Sequence, residues 1–73
     1  MSVIVEIDRP RLLPHLLIAL RAAGCPAWPI SFHACRVVHA EAEDPDEAMC
    51  EVLFFVRAWA GEHGNVAVSL RPG

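Results

Sequence analysis

The chain has 73 residues, 55% of them hydrophobic and 21% charged. That length allows one domain and excludes a multidomain enzyme, and the apolar content excludes a solvated tail. A net charge of −3, with six scattered arginines and no lysine, argues against nucleic-acid binding, which rests on clustered positive charge.

Val3–Ile7 is rich in β-branched residues. Val3, Val5 and Ile7 fall on one face and Ile4 and Glu6 on the other, the pattern of a strand. Asp8–Pro14 reads as a turn entering a helix, with Asp8 as the capping type and Pro10 in the first turn. Pro14 dictates a helix start near Leu12, because a proline deeper in a helix loses a hydrogen bond and clashes with the carbonyl four residues back. Leu13, Leu16, Leu17, Leu20 and Ala23 then form an apolar stripe, and Gly24 stops the helix.

Cys25–Phe32 reads as an irregular edge strand, since Pro26 and Pro29 each remove a ladder donor. Cys35–Ala42 alternates as a third strand. Either a turn near Phe32–Ala34 separates the two, or one long bent strand runs from Ile30 to Ala42. Asp44, Pro45 and Glu47 form a capping box that opens a second helix. Its core stripe is Met49, Val52, Leu53, Val56 and Trp59 or Ala60, and Gly61 and Gly64 end it. Asn65–Leu70 is the last strand, with Val66, Val68 and Leu70 inward and Ala67 and Ser69 outward.

The order βαββαβ predicts one α+β, ferredoxin-like domain over residues 1–73. It has a single antiparallel four-stranded sheet in the order 4-1-3-2, with both helices on one face. The opposite face is left bare, and the alternation assigns to it Ile4, Glu6, Val37, His39, Glu41, Ala67 and Ser69. A partly apolar bare face on so small a domain favours self-association. Ile4, Val37 and His39 are therefore the expected homodimer contacts.

Polar chemistry is sparse. Cys25, Cys35 and Cys50 are odd in number and lack a CxxC spacing, which reads as reduced thiols in a cytoplasmic protein. The N-terminus lacks the basic segment of a signal peptide, and no apolar run reaches the roughly 20 residues of a membrane span. His33, Cys35 and His39 alternate onto one strand face, but His39 would lie about 13 Å from Cys35 along a straight strand. A shared metal ion is not expected there, nor is a cofactor elsewhere. The acids from Glu41 to Glu51 suit a helix N-terminus. Neither the serines nor the Cys35–histidine neighbours sit in a nucleophile motif, so no catalysis is expected. Trp28 and Trp59 read as core or subunit contacts, or as a ligand wall.

The segment Asp8–Gly24 resembles the opening of an ACT domain, in which a first strand leads through Asp-x-Pro-Gly-x-Leu into an amphipathic helix and a later glycine. Asp8, Pro10, Leu13 and Gly24 match, and Arg11 stands at the turn glycine. The resemblance implies a non-catalytic regulatory or ligand-binding module, amino-acid sensing, that acts as a homodimer. It places the ligand at Asp8, Arg9, Arg11, Leu12 and Leu13, with His15 and Trp28 lining the side. The alternative is a structural protein–protein interaction domain with no small-molecule ligand.

Overall fold

A computed structural model describes all residues from Met1 to Gly73. Its elements are β1 (Ser2–Ile7), α1 (Leu13–Ala22), β2 (Ala27–Pro29), β3 (Ala34–Val38), α2 (Pro45–Glu62) and β4 (Val68–Pro72), with a 3-10 turn at Pro10–Leu12. The strands form one sheet in the order β2-β3-β1-β4, and every neighbouring pair is antiparallel. This is the ferredoxin-like α+β arrangement. The three-residue β2 takes an edge, where its prolines break no ladder on a second side.

The core follows from β1. Val3, Val5 and Ile7 are buried beneath the helices with Leu13, Leu16, Leu17 and Leu20 of α1 and Val52, Val56 and Trp59 of α2. α1 begins at Leu13 with Pro14 in its first turn, where the missing N–H has no intrahelical partner to lose. Gly24 follows it with φ +89°, a left-handed conformation that costs glycine little. At the head of α2, the Glu47 amide donates to Asp44 Oδ1 at 2.8 Å, and Glu47 Oε2 accepts from the Glu43 amide at 3.3 Å. The capping box is therefore present, with the return bond one residue before the cap.

Of the two readings of the middle of the chain the turn holds: β2 and β3 are separate strands joined through Ile30–His33, where the Ile30 and Ser31 amides both donate to the Ala34 carbonyl. Several boundaries need correction. β2 is confined to Ala27–Pro29. β3 ends at Val38, and β4 begins at Val68 and runs on to Pro72. Gly61 does not end α2, which continues to Glu62; the reversal comes at Gly64 and Asn65, both with positive φ. Ala23 is exposed, and Met49 and Leu53 are only half-buried, so the α2 core stripe is centred on Ala48, Val52, Val56, Trp59 and Ala60.

The most consequential correction concerns the open sheet face. β1 pairs with β3 in the register Val3↔Val37, Ile4↔Arg36 and Val5↔Cys35. Directly paired residues share a face, so Val37 and Cys35 lie beneath the helices, where both are fully buried. His39 continues on that side and meets Glu51 of α2, with Nε2 3.3 Å from Oε2. The open face instead carries Ser2, Ile4, Glu6, Ala34, Arg36, Trp28, Ser69 and Arg71. Ile4 does sit on it, but is only 8% exposed. The expected dimer contacts are therefore divided between two faces, and the only one on the open face is already covered by its neighbours.

The two chain ends meet beside the sheet. The Gly73 amide donates to the Ser2 carbonyl at 3.0 Å, and Ser2 Oγ donates to the Gly73 carbonyl at 2.9 Å.

These burial differences predict a contrast on α1. A 73-residue domain has roughly 4–11 kcal/mol of stability at typical per-residue values. Leu16→Ala leaves a cavity in the centre of the core and should cost about 2–5 kcal/mol. Ile18→Ala, on the exposed side of the same helix, should change stability by less than about 0.5 kcal/mol. Urea unfolding midpoints of the two variants, measured side by side, check this.

Candidate functional site

The residues expected to bind a ligand are placed at the β1–α1 junction, but most of their polar groups are already engaged. Asp8 does not cap a helix, because Arg9 occupies the capping position of the 3-10 turn. Its Oδ1 instead accepts from the Ala67 amide at 3.0 Å, while its own amide donates to the Ala67 carbonyl at 3.1 Å. Arg9 reaches the end of α2 and donates to the His63 and Gly64 carbonyls at 3.4 and 3.3 Å. A guanidinium suits that position, since carbonyls left unpaired at a helix C-terminus carry partial negative charge.

The turn itself has few amides to offer an anion. Pro10 and Pro14 have none, the Leu12 amide donates to the Arg9 carbonyl, and the Leu13 amide donates to the Pro10 carbonyl. The Leu13 side chain is buried in the core. Arg11 and His15 are exposed, and Leu12 is half-buried against the core. Trp28 lies on β2, two strands away from β1, on the open face. Of these seven residues, only Asp8 borders a cavity, a shallow one of about 300 Å³ shared with Glu6, His33 and Ser69.

That cavity adjoins the densest polar cluster. Glu6 forms an ion pair with Arg71, and its other oxygen lies 3.8 Å from His33 Nε2. Ser31 Oγ lies 3.3 Å from His33 Nδ1 and also accepts the His33 amide at 3.4 Å. The serine thus closes the β2–β3 loop, and the ion pair ties β1 to β4. No group of three His, Cys, Asp or Glu side chains is close enough to hold a metal ion. No helix is long and apolar enough to cross a membrane.

A second cluster lies between the end of α1 and the middle of α2. Cys25, His39 and Glu51 line a crevice of about 160 Å³ with Leu20, Val52 and Phe55. Burial, then the Glu41 and Glu51 carboxylates, raises the Cys25 pKa. That opposes the thiolate a nucleophile or metal ligand needs. Burial alone pushes Cys35 up to about 11. All three cysteines are unpaired, with Cys25 half-buried, Cys35 buried and Cys50 exposed.

The feature that sequence reasoning missed is the outer face of α2. Phe54 is 81% exposed there, the most exposed large apolar side chain in the chain. A shallow, open hollow lies on each side of it. One, of about 560 Å³, is bordered by Glu51 and Phe55, and the other, of about 530 Å³, by Leu53 and Arg57. Cys50 and Ala58, one turn before and one after Phe54, border both. The signal was available: with Val52, Val56 and Trp59 inward, the 3.6-residue period puts Cys50, Phe54 and Ala58 outward.

A comparison of the chain with protein-family models, curated proteins and solved structures finds no match to any of them. The ACT resemblance is therefore carried by Asp8, Pro10, Leu13 and Gly24 together with the order of the elements.

The buried thiol makes a pH prediction. Cys35 ionises near its ordinary 9.0 in the unfolded chain and at about 11 in the folded one. Its contribution is fully present below about pH 9 and is lost as pH rises towards 11, with Cys25 acting in the same direction. A shift of that size corresponds to a loss on the order of 2–3 kcal/mol. The chain has no lysine or tyrosine, so no other side chain type titrates strongly in that window. Urea midpoints should fall between pH 8.5 and 10.5, and the fall should be clearly shallower in Cys35→Ala.

Proposed function

We propose that the chain is a small non-catalytic interaction module that docks another protein surface against the outer face of α2. The observation that carries this reading is Phe54, a phenylalanine 81% exposed between two apolar hollows on a regular helix. Leaving it in water forgoes about 1.5–3 kcal/mol that burial would return, and aromatic side chains are the usual anchors of protein interfaces. Trp59, five residues on, is fully committed to the core and stacks on His63 at 4.6 Å. Of the three aromatics on α2, Trp59 and the half-buried Phe55 pack with the core, and Phe54 alone is presented outward.

The amino-acid-sensing reading draws support from the ACT-like opening of the chain. It receives less from the geometry, because the turn amides and the Asp8 and Arg9 side chains are engaged within the chain. Three unpaired thiols suit a reducing compartment and support a cytoplasmic location.

Two measurements separate these readings. A thermal-shift panel of free amino acids at millimolar concentration should leave the melting temperature unchanged, since only a ligand bound by the folded state raises it. An apolar fluorescent dye should bind the native protein and lose most of its signal in Phe54→Ser, with the melting temperature in dilute solution unaltered. A saturable amino-acid shift in the parent would overturn the interaction reading in favour of the sensor. A shift that appears only in Arg11→Gly, which restores the family's turn residue, would show that Arg11 closes the site in the parent and would leave the interaction reading standing. Dye binding indifferent to Phe54→Ser would overturn the choice of face.

A further inference from the structure

We infer that the occupant of the α2 outer face is a second copy of this chain, packed two-fold with the two α2 helices antiparallel. This rests on the interaction-module reading and names its partner. A two-fold interface must be complementary to itself, because each copy presents the same patch. The α2 face meets that condition in shape. Its one large projection is Phe54, and its hollows lie immediately beside that side chain, bordered by the small Cys50 and Ala58. Each copy thus brings one aromatic knob and the space to receive one.

Charge selects the orientation. Arg57 is the only basic residue of α2 and has no carboxylate partner in the chain. The exposed Asp46 lies in the first turn of the helix, likewise without an ion-pair partner. Helical periodicity puts Asp46 and Arg57 on the same flank of Phe54. If the two-fold axis passes between Cys50 and Phe54, residues equally far from it on the two antiparallel helices stand level. Phe54 then meets the partner's Cys50, and Arg57 stands within one helical step of the partner's Asp46, with the same pair repeated by symmetry. A parallel arrangement would set Arg57 level with Arg57 and Asp46 level with Asp46. Antiparallel packing also opposes the two helix dipoles favourably.

The size of the face sets the strength. α2 has 18 residues and is about 27 Å long at 1.5 Å per residue. A strip of that length belongs to the low end of specific interfaces, below roughly 1,200 Å² in total. The association is therefore a reversible one, populated at micromolar concentrations and above.

Sedimentation equilibrium of the intact chain, from low micromolar to millimolar concentration, tests the inference. The expected result is a monomer–dimer equilibrium whose dissociation constant rises at least tenfold in Phe54→Ser. Asp46→Arg and Arg57→Asp should each weaken the dimer, and the two together should restore it. Cys50, the one exposed thiol and close to the axis, should join two copies through a short bis-maleimide, and Cys50→Ser should abolish that product. A chain that stays monomeric throughout overturns the inference while leaving the dye and amino-acid measurements to judge the interaction reading. A dimer whose constant is indifferent to Phe54→Ser overturns it too, because the contact then lies elsewhere.

Discussion

β1 has a strand on each side, and its inward side chains can be buried only if both neighbours offer theirs to the same face. Val5 shows the constraint most directly. It is opposite Cys35 on β3 and Leu70 on β4, so three strands place an apolar side chain at one level under the helices. Val3 with Val37 and Ile7 with Val68 repeat the arrangement one step to either side. A slip of one residue in either pairing would turn a neighbour's apolar set into water. The register of this one strand therefore decides which residues remain on the open face. The polar chemistry there follows: Glu6, Arg36 and Arg71 stay together because their β1, β3 and β4 neighbours are needed beneath the helices.

The same constraint explains what was legible in the sequence. β1, the Leu12–Leu13 helix start, the Asp44 cap and the edge position of β2 each depend on local chemistry: β-branching, proline geometry, a short side chain with an acceptor. All were readable from the residues themselves. The phase of β3 was not, because Cys35 and Val37 on one face and Ala34 and Val38 on the other are nearly equal in hydrophobicity. Arg36 held the missing information. A mid-strand arginine cannot be buried beneath two helices without a partner, which sends it to the open face and Cys35 and Val37 inward. Gly61 and Gly64 posed a similar ambiguity, since glycine is tolerated within a helix and strongly favoured only where φ turns positive.

The expected ligand residues were a contiguous set in sequence that the fold does not use as a set. Asp8 and Arg9 point across the molecule, one to the loop before β4 and the other to the end of α2. Leu13 turns into the core, while Trp28 is carried off by a different strand. Such reach is a property of small domains. With so little interior, polar side chains next to a turn are recruited to satisfy the backbone of distant segments, and a turn motif is then read as structure rather than as a site. The opposite holds on α2, where the helix is long enough to serve the core with one side and leave the other uncommitted.

The meeting of the chain ends has a topological consequence. Ser2 and Gly73 are 71 positions apart in sequence yet hydrogen-bonded, and the Glu6–Arg71 pair spans 65. Forming the β1–β4 pairing therefore requires closing almost the whole chain into one loop, the slowest kind of contact to establish. Joining the ends by a short turn and opening the chain in the exposed Ile30–His33 loop would leave every strand pair in place. β4 and β1 would become a hairpin, and β2 and β3, now at the new chain ends, would take their place as the most distant pair. The order of the elements along the chain governs how fast this architecture forms far more than what it is, and a circular rearrangement would separate the two.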